Sequence, residues 1–200
     1  MARVPYNAGD KGGSTDIRNT DNLAAALNDP DFDSIEIDDV EITATAAEIN
    51  NACDVSARIV TIADATNTLA LTAATHANRI CLIMDATLAT TLPEATGTGD
   101  RYTLVQGIAS TASTIVTADT SNAGFRGMLN AFDSDDESTL TSWPAAPGGG
   151  DDTITFNGVA TGGKIYDHFS FLDIATDVWL VSGQITQSGG SEVTPFSSTA

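Results

Sequence analysis

From Ala57 onward, short runs that alternate apolar and polar residues follow one another at intervals of about ten to twelve residues. Clusters of Asn, Asp, Ser, Thr and Gly separate the runs, and such clusters are typical of turns. Alternation with a period of two predicts strands that are buried on one face. The predicted strands are Arg58–Ala63, Thr68–Thr72, Arg79–Met84, Leu88–Leu92, Arg101–Gln106, Thr114–Ala118, Phe125–Phe132, Thr153–Asn157, Lys164–Ile174 and Val178–Ile185.

Two of these strands have the clearest sequence evidence for burial in the core. The run from Ile80 to Met84 is continuously apolar and too short for a helix, so it predicts a strand buried within a sheet, with Cys81 as a small buried hydrophobe. Trp179 lies among the apolar residues Val178, Leu180 and Val181 and is also predicted to lie in the core.

The first part of the chain has a different character. Asn22 or Asp21 can cap a short helix over Leu23–Leu27, and the capping box Thr45-Ala-Ala-Glu48 predicts a second helix over Ala46–Asp54. Between them, Ser34 to Ile42 alternates as a half-exposed strand with a slip near Asp38-Asp39.

These patterns predict an all-β protein, an antiparallel β-sandwich of jelly-roll-like type, with a short mixed α/β N-terminal arm. We expect the arm at 1–56, the sandwich at 57–187 and a flexible C-terminal tail at 188–200. Strand spacing does not distinguish a jelly roll from another sandwich. The polar, glycine-rich segment Asp133–Asp152 is predicted to be a long surface loop.

Charge narrows the possible partners. The chain has 27 acidic and 8 basic residues and a formal net charge of -19. Such a surface repels phosphate backbones and anionic membranes, which argues against nucleic-acid and membrane partners. No stretch has the length of a membrane span and the N-terminus lacks the apolar core of a signal peptide, so we expect synthesis in the cytoplasm.

Little in the chain points to catalysis. The two histidines, His76 and His168, lie outside any nucleophile motif, and we expect them to be turn or sheet-surface residues. Phosphate-loop, dinucleotide and zinc motifs are missing, so we predict a protein that is not an enzyme and needs no cofactor. Paired carboxylates of a glycosidase stay possible, but aromatic platforms for sugars are few.

Calcium is the one metal for which we find candidate ligands in the sequence. Asp133, Asp135, Asp136 and Glu137 supply hard oxygen ligands, although the spacing lacks the glycine and final glutamate of an EF-hand. We therefore rank a solvated acidic loop above a calcium site.

Several segments resemble a family of tailed-phage virion proteins, the head-decoration (cement) or head-fibre type. The resemblance rests on His76-Ala-Asn-Arg79, on LPEATGTGDRYTLV from Leu92 to Val105, on Asp152–Gly158 with Thr161–Gly163, on the Trp179 strand and on the closing Thr194-Pro-Phe-Ser197. It covers roughly residues 57 to 198, and its motifs are turn and strand signatures. The segment Ile42–Asn50 is also similar to an element of phage fibre proteins.

The resemblance implies a protein on the surface of the virion. A cement protein binds the outer face of the mature head, contacts the major capsid protein and stabilises the contacts between capsomers. A homotrimer would match the three-fold positions of a capsid lattice. We place the capsid contacts in the arm, because its rare basic and aromatic residues and its alternating strand suit docking. The candidates are Arg3, Tyr6, Arg18, Ile35 and Ile37.

Two alternatives remain. A head- or tail-fibre module that recognises a host glycan or protein would use the exposed loops, above all Asp133–Asp152 with Trp143. A metal-stabilised carbohydrate-binding module outside any virus is the third hypothesis. Copy number distinguishes the first two, because a cement protein scales with capsid subunits and a fibre does not.

Overall fold

The computed structural model describes residues 58–63, 66–119, 124–136, 139–146 and 150–198, and the backbone at 36–37 and 40–41. The chain divides into two compact units, Met1–Asn50 and Asn51–Ala200, whereas its composition placed the boundary after residue 56. No helix among the described residues is long and apolar enough to cross a membrane.

In the first unit, β1 (Glu36–Ile37) pairs antiparallel with β2 (Val40–Glu41), with Ile37 opposite Val40. The sequence predicted one strand over Ser34–Ile42. Its slip at Asp38-Asp39 instead separates two strands that pair with each other. The helices predicted over Leu23–Leu27 and Ala46–Asp54 lie outside the described residues.

In its described residues, the second unit is nearly all β, with two mixed sheets and one short helix, α1 (Ala73–His76). Its strands are β3 (Ile59–Ile62), β4 (Thr68–Ala70), β5 (Arg79–Ile83), β6 (Ala89–Thr91), β7 (Arg101–Gln106), β8 (Ser113–Val116), β9 (Gly124–Asp133), β10 (Leu140–Pro144), β11 (Thr153–Phe156), β12 (His168–Ala175), β13 (Val178–Gln187) and β14 (Phe196–Ser197). Every strand that the sequence predicted after residue 57 overlaps one of these. The seven-stranded sheet has the order β10-β9-β13-β12-β7-β5-β3, and the five-stranded sheet has the order β14-β11-β8-β6-β4.

In the first half of this unit, the chain coils so that it passes through one sheet and then the other. Successive strands alternate between the sheets, so β3, β5 and β7 lie side by side and parallel in one, and β4, β6 and β8 do so in the other. Ile80 pairs with Ile59 on one side and Thr103 on the other. Paired positions therefore recur about every 20 to 25 residues, the repeat length of small solenoids.

The second half closes the sheets with mostly antiparallel strands. β12 lies antiparallel between β7 and β13, while β13 and β9 form a long parallel pair. The prediction of antiparallel pairing throughout was therefore wrong. Parallel coils are also not the connectivity of a jelly roll, whose strands are antiparallel.

Aromatic side chains of both sheets meet in one core. The Phe156 ring on β11 stacks on the Phe169 ring on β12, with centroids 4.8 Å apart, and Phe125 on β9 contacts Phe196 on β14. Cys81 and Trp179 are buried, which confirms both predictions. Phe196 is buried as well, so the tail predicted to be flexible contributes an edge strand to the five-stranded sheet.

Candidate docking surface

The seven-stranded sheet has an inner face that is buried in the core and an outer face that the described residues leave open. Burial alternates along its strands, so the outer positions follow from the register. They are Ile59, Thr61, Ile80, Leu82, Arg101, Thr103, Val105, Arg126, Met128, Asn130, Phe132, Leu140, Ser142, Pro144, His168, Ser170, Leu172, Leu180, Ser182, Gln184 and Thr186. We call this set the outer face.

The outer face contains no carboxylate, although the chain carries 27 acidic residues. Its charged or titratable members are Arg101, Arg126 and His168. Among the described strands of the second unit, only Asp133 and Asp173 are acidic, and both have the inward register of their strands. The other described carboxylates of this unit lie in turns and loops. The strong negative charge is therefore absent from one broad surface.

Apolar side chains lie toward the two edges of this face. Ile59 on edge strand β3 is 61% exposed, and Leu140 on edge strand β10 is 60% exposed. Ile80 and Met128 also keep over two fifths of their surface exposed. In the middle, the hydroxyl side chains of Ser170 and Ser182 lie beside the paired residues Leu172 and Leu180. A broad surface that has no carboxylates and carries exposed apolar side chains is typical of an interaction site.

A buried carboxylate fixes the loop that enters β12. Asp167 Oδ2 accepts hydrogen bonds from the backbone N–H groups of Gly163, Lys164 and Thr186, at 2.8, 2.9 and 2.9 Å. Burial raises the pKa of Asp167, and these donors partly offset that rise. The sequence predicted a strand beginning at Lys164, but the Asp167 contacts hold residues 164–167 in a turn, and β12 begins at His168.

This turn presents an aromatic side chain. Tyr166 has a φ of 71°, in the left-handed region that bulky residues avoid, and its side chain is 77% exposed. Its backbone N–H donates to the carbonyl oxygen of Gln106 at 2.7 Å. Backbone strain of this kind often marks a functional position. No local sequence pattern predicts this conformation, because the turn is held by contacts with Thr186 and Gln106, which are distant in sequence.

A second buried carboxylate fixes the opposite end of β12. Asp173 accepts hydrogen bonds from the N–H groups of Thr96, Gly97 and Thr98 and from the Thr98 hydroxyl, at 2.6 to 3.1 Å. Burial raises the pKa of Asp173, but the four donors outweigh it, so that its pKa lies below the usual range of an aspartate. Asp173 is a structural anion.

Part of the segment predicted to be a long loop forms β10, and several of its carboxylates have partners within the protein. Asp133 accepts from the Asp135 N–H, Asp135 from the Gly189 N–H, and Asp136 from the Thr139 hydroxyl. Glu137 lies outside the described residues. In the part of the chain that the structure describes, no group of three or more His, Cys, Asp or Glu side chains has a geometry that could hold a metal ion.

Trp143 also differs from its prediction. It belongs to β10, is half-buried against the core and donates its Nε1 hydrogen to Gln187 Oε1 at 2.8 Å. It is therefore not an exposed side chain of a surface loop. The sequence missed β10 because an edge strand that ends at a proline has little alternation to detect.

The remaining predicted residues fall into two groups. His168 is exposed on the outer face, as predicted, whereas His76 is buried in α1, where its Nδ1 accepts the Thr72 N–H at 3.0 Å. Burial lowers the pKa of His76. The capsid-contact candidates Arg3, Tyr6, Arg18 and Ile35 lie outside the described residues, and Ile37 is described only as backbone of β1.

Comparison with protein-family models, curated proteins and solved structures finds no match to this chain. The function is therefore inferred from the resemblance of the sequence segments and from the outer face.

Proposed function

We propose that this chain is a virion structural protein, a decoration (cement) protein that binds the outer surface of a tailed-phage head through its outer face. One observation carries the proposal: a chain with a net charge of -19 keeps the outer face of its seven-stranded sheet free of carboxylates. The protein acts as a ligand of an assembled lattice and not as an enzyme.

The absence of carboxylates lowers the cost of forming an interface. A carboxylate that loses water at a contact without a partner is strongly unfavourable, while apolar and hydroxyl groups cost far less. The exposed apolar residues at both edges of the face gain from losing water. Arg101 and Arg126 offer bidentate donors to an acceptor on the capsid.

The mechanism is stabilisation by selective binding. A protein that binds the assembled shell and not the free major capsid protein shifts the equilibrium toward the shell by mass action. A homotrimer on a three-fold site multiplies weak contacts through avidity. The N-terminal residues Arg3, Tyr6 and Arg18 remain candidates for a further contact.

The two sheets are, in this proposal, the layers of a β-sandwich. The stacking of Phe156 on Phe169 and the contact of Phe125 with Phe196 support this, since each pair joins one sheet to the other. A sandwich of this kind presents a stiff, wide surface, which suits binding without an ordering cost.

Charge placed on the outer face tests the proposal. Ser182 and Gln184 are exposed neighbours on β13, and the variant Ser182→Asp/Gln184→Glu adds two carboxylates there. The matched control, Thr68→Asp/Ala70→Asp, adds two carboxylates to exposed positions on the five-stranded sheet. Each protein is co-sedimented with heads of the phage that encodes it, prepared without this protein, and the copies bound per capsid subunit are counted.

We expect the parent and the control to saturate at a fixed ratio, about one copy per subunit or one trimer per three-fold site. We expect the outer-face variant to bind at least about tenfold more weakly, while keeping the melting temperature of the control. Equal binding of both variants would show that another surface makes the contact. No binding of the parent, or a handful of copies per particle, would reject the decoration role.

A fibre module that recognises a host surface is the second candidate, and Tyr166 is the observation that favours it. An exposed aromatic side chain in a strained backbone is a plausible anchor for a partner. Binding of purified protein to host cells, lost in Tyr166→Asn and kept in Ser182→Asp/Gln184→Glu, would support the fibre role over the decoration role.

A further inference from the structure

The seven-stranded sheet ends at β3, and one side of this strand has no partner among the described strands. The carbonyl oxygen of Arg58 accepts a hydrogen bond from the Ile80 N–H of β5 at 2.8 Å. Backbone groups alternate in direction along a strand, so the N–H groups of Ile59, Thr61 and Ala63 point to the side away from β5. The edge therefore presents a row of backbone groups that a further strand could pair with.

Strand β3 lacks the features that keep an edge strand from pairing. Proteins protect such edges with proline, lysine or bulges, and the other edge strand of this sheet, β10, ends at Pro144. Strand β3 contains no proline, glycine or charged residue, and all four of its residues, Ile59–Ile62, are β-branched, a type favoured in strands. An open edge of this kind binds another extended segment through main-chain hydrogen bonds.

The sequence around this edge is complementary to itself when two copies run antiparallel. If Thr61 lies on the two-fold axis, it is opposite Thr61 of the second copy, and Arg58 is opposite the second copy's Asp64. Asp64 lies outside the described residues and enters here only through its position in the sequence. Paired threonines and opposite charges are both favourable cross-strand pairs. Charge complementarity therefore favours a second copy of this chain as the partner of β3.

The same register also matches the apolar residues. Val60 lies opposite Ile62 of the second copy, and both have the inward register of β3, where Ile62 is buried and Val60 packs against the core. Ile59, which is 61% exposed, lies opposite Ala63 and loses contact with water. A two-fold axis at Val60 would instead set the Arg58 side chain against Ile62. The charge of Arg58 therefore selects the register with Thr61 on the axis.

We propose that two copies of this chain associate through β3, in an antiparallel pair with its two-fold axis at Thr61, and so join their seven-stranded sheets into one. The pair forms about six backbone hydrogen bonds across the axis, and each Arg58 meets an Asp64. An isologous contact of this kind closes on itself and gives a dimer, not a fibre. The proposal does not rest on the capsid role of the outer face, because it uses an edge of the sheet. It leaves that face free and can link copies that belong to neighbouring trimers.

A proline on the axis tests the backbone pairing. The Thr61 N–H points away from β5, so Thr61→Pro blocks the second copy without removing a hydrogen bond to β5. Ala70→Pro on edge strand β4 is the control, because the next residue, Leu71, donates its N–H to the sheet and Ala70 therefore points away from it. Sedimentation velocity of the full chain at about 1 to 100 µM measures association, and thermal melting checks the fold. We expect the parent and the control to dimerise with a Kd of about micromolar, and Thr61→Pro to dimerise at least about tenfold more weakly.

An exchange of charges tests the register and does not depend on a proline. Arg58→Asp sets carboxylates opposite each other at both ends of the pair, so we expect dimerisation to weaken at least about fivefold. Arg58→Asp/Asp64→Arg restores the opposite charges and the net charge of the parent, so we expect its Kd to return to within about twofold of the parent's. A parent that stays monomeric at about 100 µM, a Thr61→Pro dimer as stable as that of Ala70→Pro, or a double variant as weak as Arg58→Asp would each overturn the proposal.

Discussion

The ring of Phe156 lies almost parallel to the ring of Phe169, with an interplanar angle of 17° and centroids 4.8 Å apart. Both side chains are fully buried, and they belong to different sheets. Phe169→Ala removes this contact and leaves a cavity, so we expect the free energy of unfolding to fall by about 3–5 kcal/mol. Urea unfolding followed by fluorescence measures the change.

Phe132→Ala is the control for this prediction. Phe132 lies on the outer face with half of its surface exposed, so its truncation removes little buried area. We expect a loss of less than about 1 kcal/mol. Similar losses in the two variants would show that the sheets are not joined through Phe169.

The strands could be predicted from the sequence, but their partners could not. The alternation that places Leu104 inward and Thr103 outward is a local property. Each strand that it predicted after residue 57 overlaps a strand of the structure. Strands that follow one another every ten or so residues form hairpins in one sheet or alternate between two sheets, and both arrangements bury the same residues. The pairing of Ile80 with Ile59 and Thr103 joins residues that are far apart in the sequence, so a local pattern does not predict it.

The outer face could not be predicted from the sequence either. Acidic residues occur throughout the chain, and only the register of the strands shows that none of them lies on the outer face. Trp143 was misplaced because its partner Gln187 is distant in sequence. Tyr166 was missed because the contacts that hold its turn, such as that of Asp167 with Thr186, join residues distant in sequence.

Gly163 is a position where the fold requires glycine. Its φ is 93°, and a Cβ atom there would lie 2.7 Å from Phe156 Cβ and 2.9 Å from Ser110 Cβ. Gly163→Ala therefore adds both backbone strain and a steric clash, and we expect a loss of at least about 2 kcal/mol in unfolding free energy. Gly190→Ala is the control, since its Cβ would meet nothing within 4 Å. We expect it to be neutral or slightly stabilising, and equal losses would contradict the crowding at Gly163.

The lowered pKa of Asp173 predicts that the free energy of unfolding depends on pH. Its pKa in the folded protein is lowered by its four hydrogen-bond donors, so the stabilisation that it provides is present above the unfolded value of about 3.9 and is lost as pH falls through the folded value. We expect Asp173→Asn to destabilise the protein by about 1–3 kcal/mol at pH 7. The difference from the parent should shrink below about pH 4.

Urea unfolding of both proteins at pH 7 and pH 3 measures this effect. Asp85→Asn is the control, because Asp85 is a less buried carboxylate that, among the described residues, accepts hydrogen bonds only from the neighbouring Thr87. A gap between the parent and Asp173→Asn that is constant across pH would mean that the charge of Asp173 is not what the donors stabilise.

The positive φ of Tyr166 predicts that a suitable substitution at this position stabilises the protein. Its side chain is 77% exposed, so truncation loses little buried area, while its φ of 71° is costly for an aromatic residue and readily adopted by asparagine. We expect Tyr166→Asn to raise the free energy of unfolding by about 0.5–1 kcal/mol and Tyr166→Val, which is β-branched, to lower it by about 1 kcal/mol. Equilibrium urea unfolding of the three proteins decides between these signs. Destabilisation by both substitutions would mean that the Tyr166 side chain stabilises the fold; the predicted opposite signs would mean that the chain keeps a strained tyrosine on its surface for a contact outside the molecule.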